Sequence, residues 1–219
     1  MSSPSAGISL RISEIFFSLQ GETSRVGLPT TFIRLTGCPL RCEYCDTSYA
    51  FSGGSNLTLD EILATVRSHP SQHVCVTGGE PLAQKNCLTL LRSLCDAGYQ
   101  VSLETSGALD VGAVDERVLK VLDIKTPASG EMAKNLWSNL AHLRSHDEIK
   151  FVLCDSADYD WAKQVLQEHR LTEKFAVLFS PAQGRLAARD LAEWILRDGL
   201  QVRLQVQLHK LLWGNQQGK

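Results

Sequence analysis

Apolar residues follow two alternating patterns along this chain. Short apolar runs have the length of buried strands, and the stretches between them repeat every three or four positions, as amphipathic helices do. We predict strands at residues 8–17, 31–35, 74–77, 101–105, 118–124, 148–153, 175–179 and 200–208. We predict helices at residues 58–69, 82–97, 157–169 and 187–197, and one that contains Leu136, Leu140 and Leu143.

Local signals mark some boundaries of these elements. Thr58 and Glu61 have the T-x-x-E spacing of a capping box, which indicates a helix start. Gly98 follows the helical pattern of residues 82–97 and is expected to end that helix. The glycine- and serine-containing segment 52–57 is expected to be a mobile insertion.

Strands that alternate with helices indicate βα units and a parallel sheet. We expect an α/β fold, an incomplete TIM-like barrel of parallel strands with outer helices. A flexible N-terminus at residues 1–7 and one domain at residues 8–219 are predicted. Functional groups gather beyond the carboxyl ends of such strands. The segments expected to share that end are Cys38, 78–80, 104–106, 123–125 and 180–183.

Composition limits the classes of function. The 219 residues are 43% hydrophobic, enough for a substantial core, and their net charge of −2 gives no electrostatic case for binding nucleic acid or a membrane surface. No apolar run approaches the roughly 20 residues that span a bilayer. The first seven residues lack the charged and apolar regions of a signal peptide. Seven cysteines without a secretory signal indicate a reducing cytoplasm.

Three cysteines form the most informative motif. Cys38, Cys42 and Cys45 have the spacing C-x3-C-x2-C, which suits three irons of a [4Fe–4S] cluster and leaves the fourth iron open to a small molecule. A zinc site is an alternative if His69 or His73 supplies the missing donor. A disulfide framework suits a short secreted chain better. The other four cysteines are interpreted as small buried hydrophobes: Cys75, Cys87, Cys95 and Cys154.

A second motif, Gly78-Gly79-Glu80-Pro81, follows a predicted strand directly. Glycines let a ligand approach the backbone, and a carboxylate can hold an ammonium group by a charge-assisted hydrogen bond. Such a turn is a weak signal alone. It gains weight because it follows the cysteine loop on the next strand end.

Together these motifs resemble the radical S-adenosylmethionine superfamily. The segments EIFFSLQGE, TTFIRLTGCPLRCEYCDT, VTGGEP, LETSG, DIKTP and QVQLHK are similar, over nearly the whole chain, to the 7-carboxy-7-deazaguanine synthase family. The resemblance implies a [4Fe–4S] cluster, S-adenosylmethionine and Mg²⁺ as cofactors. It further implies that a 5′-deoxyadenosyl radical takes a hydrogen from C6 of 6-carboxy-5,6,7,8-tetrahydropterin. Ring contraction and loss of ammonia then give 7-carboxy-7-deazaguanine, a precursor of queuosine and other 7-deazapurines.

The same resemblance implies roles around the cofactors. The cluster ligands would be the three cysteines of the motif, and Thr47 would be a magnesium ligand. Residues implied to contact S-adenosylmethionine are Tyr44, Cys45, Asp46, Gly79, Glu80, Asp123, Ile124, Lys125, Ser180, Pro181, Ala182 and Gln183. The family more often has a serine-containing segment where DIK stands, so this part of the match is looser.

The substrate's own chemistry calls for further residues. Its carboxylate needs a cation, for which Arg34, His209 or Lys210 is available, and the resemblance favours Arg34 and His209. Its amino group and ring N–H need an acceptor, which Glu104 or Glu22 can supply. Further contacts are implied for Leu19, Gln20, Gly21 and Thr77.

Two positions depart from the family pattern. Thr23 stands where the family has a glycine after LQGE, so the loop is expected to differ in shape. The tail 211–219 extends beyond the shared motif, and its role stays open.

Partners and alternatives complete the hypothesis. The resemblance implies a homodimer and an electron donor such as flavodoxin or ferredoxin. The net charge and the apolar runs predict no nucleic-acid or membrane partner. One alternative is another radical enzyme, such as a glycyl-radical activase. The other is a non-catalytic zinc or redox-sensing protein, which would leave GGEP and the polar strand ends unexplained.

Overall fold

The computed structural model describes residues 7–219. The flexible segment predicted at residues 1–7 therefore lies outside the described residues, apart from Gly7. The strands are β1 Ser9–Leu19, β2 Pro29–Leu35, β3 Ser55–Thr58, β4 His73–Gly78, β5 Gln100–Thr105, β6 Leu119–Ile124, β7 Glu148–Leu153, β8 Ala176–Pro181 and β9 Arg203–Leu204. The α-helices are α1 Leu59–Arg67, α2 Cys87–Asp96, α3 Ser156–His169, α4 Ala188–Asp198 and α5 Leu208–Trp213.

Within this range the strands form one sheet in the order β3-β1-β2-β4-β5-β6-β7-β8-β9. Pairing is parallel from β2 to β9, whereas β1 runs antiparallel to both β2 and β3. The structure confirms the expected α/β architecture with the parallel strands of a partial barrel. The carboxyl ends of the parallel strands meet at one end of the sheet, where the predicted site residues are expected.

The parallel strands have two chemically different faces. Successive side chains point to opposite sides of a strand. On β4 and β5, Val76 and Leu103 belong to the apolar core beneath the helices, whereas Thr77 and Glu104 line a cavity on the other side. The core includes the apolar face of α1, and the predicted capping box at its start is confirmed. None of the helices in this part of the chain has the length and apolar character needed to cross a membrane.

The predicted helix at 82–97 was wrong at its start. Residues Pro81–Ala83 form a single 3₁₀ turn, and α2 begins only at Cys87. The reason is Gln84, whose side-chain amide bonds with both backbone groups of Arg11 on β1, at 2.8 Å each, and donates to the carbonyl of Thr36. These bonds hold Gln84 in an extended conformation, which interrupts the helix.

The predicted helix around Leu136, Leu140 and Leu143 is also corrected. Trp137–His142 is a 3₁₀ helix. Asn139 is fully buried there, and its amide donates to the carbonyls of Gly107 and Leu109 and accepts from the N–H of Val111. These bonds tie the segment to the β5–β6 connection, which favours a tight turn over a regular α-helix.

Two predictions about edge segments were wrong. The insertion at 52–57 is partly ordered as β3, because Ser55–Thr58 pairs with the first residues of β1. The expected strand 200–208 is reduced to Arg203–Leu204 beside β8. Past this strand the chain leaves the sheet edge and turns into α5 over the carboxyl ends of the other strands.

A buried ion pair on the helix side of the sheet gives a stability prediction. Lys120 Nζ lies 2.9 Å from Asp147 Oδ2, and both side chains are almost completely buried. Asp147→Asn leaves the ammonium group without its counter-ion, so we expect a loss of about 3 kcal/mol in the free energy of unfolding. Chemical denaturation measures it. Glu193→Gln, in an exposed pair with Arg189, is the control, and equal effects of the two substitutions would contradict the prediction.

Candidate active site

A cavity of about 540 Å³ lies at the carboxyl ends of the parallel strands. Its walls are the loop after β1, the cysteine loop after β2, the ends of β4 to β8 and the segment that leads into α5. Nearly all of the sequence-predicted site residues line it: Leu19, Gln20, Gly21, Glu22, Arg34, Cys38, Cys42, Tyr44, Cys45, Asp46, Thr47, Thr77, Gly79, Glu104, Asp123, Lys125, Ser180, Pro181, Ala182, Gln183 and His209.

Two predicted residues do not line the cavity. Ile124 is in the apolar core, because it alternates along β6 with Asp123 and points to the helix side. Glu80 is fully buried beneath the cavity. The structure therefore gives neither side chain a direct path to a ligand in this cavity.

Glu80 instead connects two strand ends. One of its carboxylate oxygens accepts hydrogen bonds from Ser106 N at 2.7 Å and Thr105 Oγ1 at 2.9 Å, and the other accepts from Leu82 N at 3.0 Å. The hydroxyl of Ser106 donates to the same carboxylate. The backbone N–H of Glu80 donates to the carbonyl of Gly37 at 2.8 Å. Glu80 thus joins the GGEP turn to the end of β5 and to the start of the cysteine loop.

The three motif cysteines are partly exposed thiols on the loop after β2. This loop is held by backbone bonds from Glu43 N to Ser129 O and from Cys45 N to Cys42 O, both at 3.1 Å. Burial raises the pKa of the Cys42 thiol to about 11. The thiolate form therefore needs a compensating positive charge, such as a bound metal, to be stable at neutral pH.

The zinc alternative loses its proposed fourth ligand. His73 pairs with Thr30 at the start of β2, whereas the cysteine loop follows the far end of that strand. The separation is roughly 16 Å along the strand. His69 contacts Thr31 and Phe17 near the start of β2 as well, away from the cysteine loop. Within residues 7–219, no three His, Cys, Asp or Glu side chains converge on one metal ion. A cubane cluster does not require such convergence, because each thiolate binds a different iron.

Tyr44, Asp123 and Lys125 form a polar group beside the cysteines. Lys125 Nζ donates to Asp123 Oδ2 at 2.9 Å and lies 5.9 Å from the centre of the Tyr44 ring. The hydroxyl of Tyr44 and Oδ1 of Asp123 are buried without a hydrogen-bond partner in the described residues. Buried polar groups are normally hydrogen-bonded, so these two atoms indicate a site that a polar ligand completes.

Asp46 and Thr47 lie at the cavity mouth. Thr47 Oγ1 donates to Asp46 Oδ1 at 2.9 Å, and Lys210 Nζ donates to Asp46 Oδ2 at 2.7 Å. Desolvation acts to raise the pKa of Asp46, but the hydrogen bond and charge of Lys210 outweigh it and hold this pKa well below its usual range. Lys210 is therefore engaged with Asp46, which leaves it less available to a substrate carboxylate.

Arg34, on β2, also lines the cavity and is mostly buried. Its Nε donates to Glu14 Oε1 at 2.7 Å, and the hydroxyl of Tyr49 donates to the same oxygen at 2.8 Å. The guanidinium group lies 5.9 Å from the ring centre of Phe16, which stacks on Phe32. Glu14 orients Arg34 through a single nitrogen, so its terminal nitrogens can donate to a ligand.

Glu104, on β5, has only long contacts in the described residues. Gln20 Nε2 lies 3.4 Å from Oε1, Thr77 Oγ1 lies 3.5 Å from Oε2, and Cys75 Sγ lies 3.6 Å from Oε1. Burial raises the pKa of Glu104, and the negative charge of Glu22 adds to this effect. Glu104 is thus a buried acceptor with weak partners.

Sequence reasoning missed Lys150, which lies on β7 and lines the cavity. Its ammonium group forms an ion pair with Glu22, and Gln207 Nε2 donates to the other oxygen of that carboxylate at 2.8 Å. Burial opposes the ionisation of Glu22, but the attraction of Lys150 outweighs it and lowers the pKa. The signal in the sequence was a single lysine inside the apolar strand EIKFVL, since lysine is almost never fully buried unless paired.

The C-terminal segment closes one side of the cavity. Leu208 N donates to Gly21 O at 2.9 Å, and the imidazole of His209 packs against the α-carbon of Gly21. Gln207 also reaches Asp46 Oδ2 at 3.2 Å. Of the tail beyond the shared motif, Lys219 lines the cavity. The role left open for residues 211–219 therefore includes a place in the cavity wall.

Thr23, the departure from the family glycine, keeps a backbone conformation that glycine favours. Its φ is 69°, in the left-handed region, which is uncommon for a β-branched residue. Its hydroxyl accepts a hydrogen bond from Arg25 N at 3.2 Å. The threonine therefore adopts the left-handed turn rather than preventing it.

Comparisons with known proteins agree with this geometry. Residues 32–125 match the model of the radical SAM superfamily. The chain is 47% identical to the 7-carboxy-7-deazaguanine synthase of Chlorobaculum tepidum, over 93% of this chain and 94% of that protein. It is 44% identical to the synthase of Koribacter versatilis, over 93% and 97% of the two chains. The synthase of Thermoplasma acidophilum is 37% identical over 94% of this chain and 99% of its own length.

Solved structures support the fold. The crystal structure of QueE from Escherichia coli covers 95% of this chain and 100% of its own, with a TM-score of 0.79 at 24% identity. The complex of Streptococcus suis SuiB with the precursor peptide SuiA matches 78% of this chain and 46% of its own, with a TM-score of 0.56 at 12% identity. At these identities the likeness concerns the arrangement of strands and helices.

The network around Glu80 predicts a structural role that is independent of any cofactor. In Glu80→Gln, an amide N–H₂ group replaces a carboxylate oxygen that accepts hydrogen bonds from Thr105 or Ser106 in the natural sequence. One buried donor therefore loses its acceptor. We expect the free energy of unfolding of the cofactor-free protein to fall by about 1–3 kcal/mol. Chemical denaturation without cofactors measures it, with Glu168→Gln on the exposed face of α3 as the control. Unchanged stability would show that the network is dispensable.

The packing of His209 on Gly21 predicts a change in titration. Burial lowers the pKa of His209 below its ordinary value. In Gly21→Ala the added methyl group would overlap the ring and displace it. The pKa of His209 should then rise toward about 6.5, its value in water. Because the folded-state pKa is lowered, the closed packing favours the neutral ring and weakens as the pH falls below this value.

NMR titration of the imidazole protons measures this change. The resonances of the other histidines, which do not contact Gly21, are the internal control and should not move between the two proteins. An unaltered His209 titration in Gly21→Ala would contradict the packing described here.

Proposed function

This chain belongs to the 7-carboxy-7-deazaguanine synthase family of radical S-adenosylmethionine enzymes, and we propose how its cavity performs the family's reaction. The enzyme converts 6-carboxy-5,6,7,8-tetrahydropterin to 7-carboxy-7-deazaguanine with loss of ammonia, in the biosynthesis of queuosine and other 7-deazapurines. One observation carries the proposal for the site. One cavity is lined by the three motif cysteines, by an arginine that can bind the carboxylate of the substrate and by a buried glutamate that can accept hydrogen bonds from its amino group and ring N–H.

The cofactors would occupy the half of the cavity nearest the cysteine loop. Cys38, Cys42 and Cys45 would bind three irons of the cluster. Tyr44 and Asp123 fit the edge of S-adenosylmethionine, because each offers a buried polar atom without a partner in the described residues. When bound, the cluster and S-adenosylmethionine would supply a 5′-deoxyadenosyl radical for hydrogen abstraction. The segment Ser180–Gln183 would complete this wall by lining it from the end of β8.

Some of the implied cofactor roles are narrower than the resemblance suggests. Gly79 lines the cavity and can approach a ligand through its backbone. Glu80 would act mainly by holding that turn in place, since its carboxylate is taken up by Thr105, Ser106 and Leu82. For Ile124 we propose a backbone contact, since its side chain belongs to the core.

We propose Mg²⁺ at the boundary between the two halves. Thr47 supplies a hydroxyl oxygen, and Asp46 lies next to it with a carboxylate. Magnesium prefers oxygen ligands and keeps several waters, so few protein ligands are needed. The substrate carboxylate would complete the site.

The substrate would occupy the half beneath the C-terminal segment. Arg34 and His209 would bind its carboxylate, and Arg34 has terminal nitrogens available for this. Glu104 would accept hydrogen bonds from the amino group and ring N–H, with Gln20 and Thr77 beside it. Leu19 and Gly21 would contribute packing and backbone contacts, and Glu22 would be a second acceptor.

The remaining proposals concern the whole molecule. Residues 8–219 would form one radical S-adenosylmethionine domain, which the continuous sheet from β1 to β9 supports. A cytoplasmic location is supported by seven unpaired thiols. An electron donor such as flavodoxin or ferredoxin could approach the partly exposed cysteine loop. For a homodimer, the exposed side chains of Leu196 and Leu204 are candidate contacts.

An anaerobic assay tests the proposed reaction and the cluster ligands together. The iron-reconstituted protein would be supplied with reductant, S-adenosylmethionine, Mg²⁺ and 6-carboxytetrahydropterin, and the products read by mass spectrometry. We expect 7-carboxy-7-deazaguanine from the natural sequence and none from Cys42→Ala, because a cluster that lacks one of its three protein ligands is not retained.

A matched control separates the cluster from the fold. Cys95→Ala changes a thiol on α2, outside the cavity, and should leave product formation unchanged. Cleavage of S-adenosylmethionine without the deazaguanine product would favour another radical reaction, such as that of a glycyl-radical activase. Absence of both cluster and cleavage would favour the zinc or redox-sensing alternative.

A further inference from the structure

Lys150 has more hydrogen-bonding capacity than its surroundings use. Its side chain is 12% exposed, lines the cavity and lies beside Asp123 in the register of β6 and β7. An ammonium group has three donors. Within residues 7–219, Glu22 is the acceptor that its ammonium group bonds. A buried ammonium with unused donors is costly unless a ligand or water accepts them.

Glu104, in the same cavity, has unused capacity to accept hydrogen bonds. It is a buried carboxylate whose contacts with Gln20, Thr77 and Cys75 are all 3.4 Å or longer. The positive charge of Lys150 opposes the rise that burial and Glu22 cause in the pKa of Glu104, and the Glu104 carboxylate favours the ammonium form of Lys150. The cavity therefore places an acceptor in need of donors near a donor in need of acceptors.

Three other cations of the cavity each have a carboxylate partner. Lys125 donates to Asp123 at 2.9 Å, and Lys210 donates to Asp46 at 2.7 Å. Arg34 is held by Glu14 and faces the part of the cavity assigned to the substrate carboxylate. Lys125 lies beside the cysteines and Arg34 is assigned to the substrate carboxylate, so Lys150, on β7 two strands from Glu104, is left for the ring edge that Glu104 binds.

A pterin ring has the matching pattern along its pyrimidine edge. The 2-amino group and the ring N–H are donors, and the adjacent 4-oxo group is an acceptor. We propose that Lys150 is a specificity-determining residue, whose ammonium group donates a hydrogen bond to the 4-oxo oxygen while Glu104 accepts from the amino group and ring N–H. This inference rests on the proposed function. It requires that the ammonium group of Lys150 donate to Glu22 and to the substrate at the same time.

Stable fluorescent pterins test this assignment by binding alone. Pterin-6-carboxylate has the same edge and carboxylate as the substrate. In 2,4-diaminopteridine-6-carboxylate an amino group replaces the 4-oxo oxygen and the adjacent ring nitrogen no longer carries a hydrogen. In lumazine-6-carboxylate an oxygen replaces the 2-amino group. Dissociation constants for the three are measured by fluorescence on the holoenzyme with S-adenosylmethionine bound. The natural sequence should prefer pterin-6-carboxylate over both analogues.

Lys150→Met should reduce the preference for the 4-oxo over the 4-amino compound by about tenfold or more, which is the loss of one hydrogen bond to a charged group. The preference for the 2-amino over the 2-oxo compound should persist, because it depends on Glu104. Lys120→Met is the matched control. It removes another buried, paired lysine of the same sheet, but from the helix side, and should leave both preferences unchanged.

The double variant Glu22→Gln with Lys150→Met addresses the effect of charge and folding. It removes both members of the ion pair, so no unpaired carboxylate is left behind. If Lys150 contacts the 4-oxo group, the double variant keeps the reduced 4-oxo preference of Lys150→Met, and the part that remains reflects the ring N–H donated to Glu104. If Lys150 serves only to neutralise Glu22, the double variant recovers the preference, and the inference is overturned.

The remaining outcomes are equally decisive. An unchanged 4-oxo preference in Lys150→Met overturns the inference, and so does an equal fall of both preferences, which would indicate a general disturbance of the cavity. The natural sequence is assayed for 7-carboxy-7-deazaguanine formation in parallel. Failure of that assay rejects the proposed function, whereas product formation with an unchanged preference rejects the role of Lys150 alone.

Discussion

The alternation of side chains along the parallel strands is the constraint on which the rest of this structure depends. One face of each central strand packs on the helices, so its residues are apolar. The residues on the other face do not have to be apolar, yet the packing of the core holds them in fixed positions. Glu104, Asp123 and Lys150 occupy that second face on three adjacent strands. Their separations are set by strand spacing and register, with no need for a dedicated loop.

Placing charges on a largely buried face has an energetic cost, and the structure limits it by pairing. Lys150 is paired with Glu22, Lys125 with Asp123, and Lys210 with Asp46. The pairs of Lys150 and Lys210 join different parts of the cavity, and the pair of Lys125 fixes the orientation of two side chains at the end of β6. Removing one partner of such a pair lowers stability more than replacing both partners by apolar residues, because an uncompensated charge remains. The cavity is therefore polar without being loosely packed.

The sequence predicted the strands and most of the cavity because both depend on local information. Apolar runs marked β4, β5 and β7, and polar residues at strand ends could be placed together by the rule for parallel sheets. Asn139 could not be interpreted in this way, since its bonds to Gly107 and Leu109 come from a distant turn. Likewise, the buried position of Glu80 depends on Ser106, which no local pattern connects to it. Lys150 was visible as an anomaly within an apolar strand, but its partner lies in another part of the chain.

The closure of the cavity by the segment before α5 has a consequence for the order of events in the cell. Gln207 and Glu22, which it bonds, are 185 residues apart in the chain. Synthesis therefore delivers the cysteine loop and every strand from β1 to β8 before the residues that cover them. During that interval the carboxylates of Glu22 and Asp46 lack the amide of Gln207 that bonds both of them in the finished protein. The wall above the site is therefore the last part of the cavity to form.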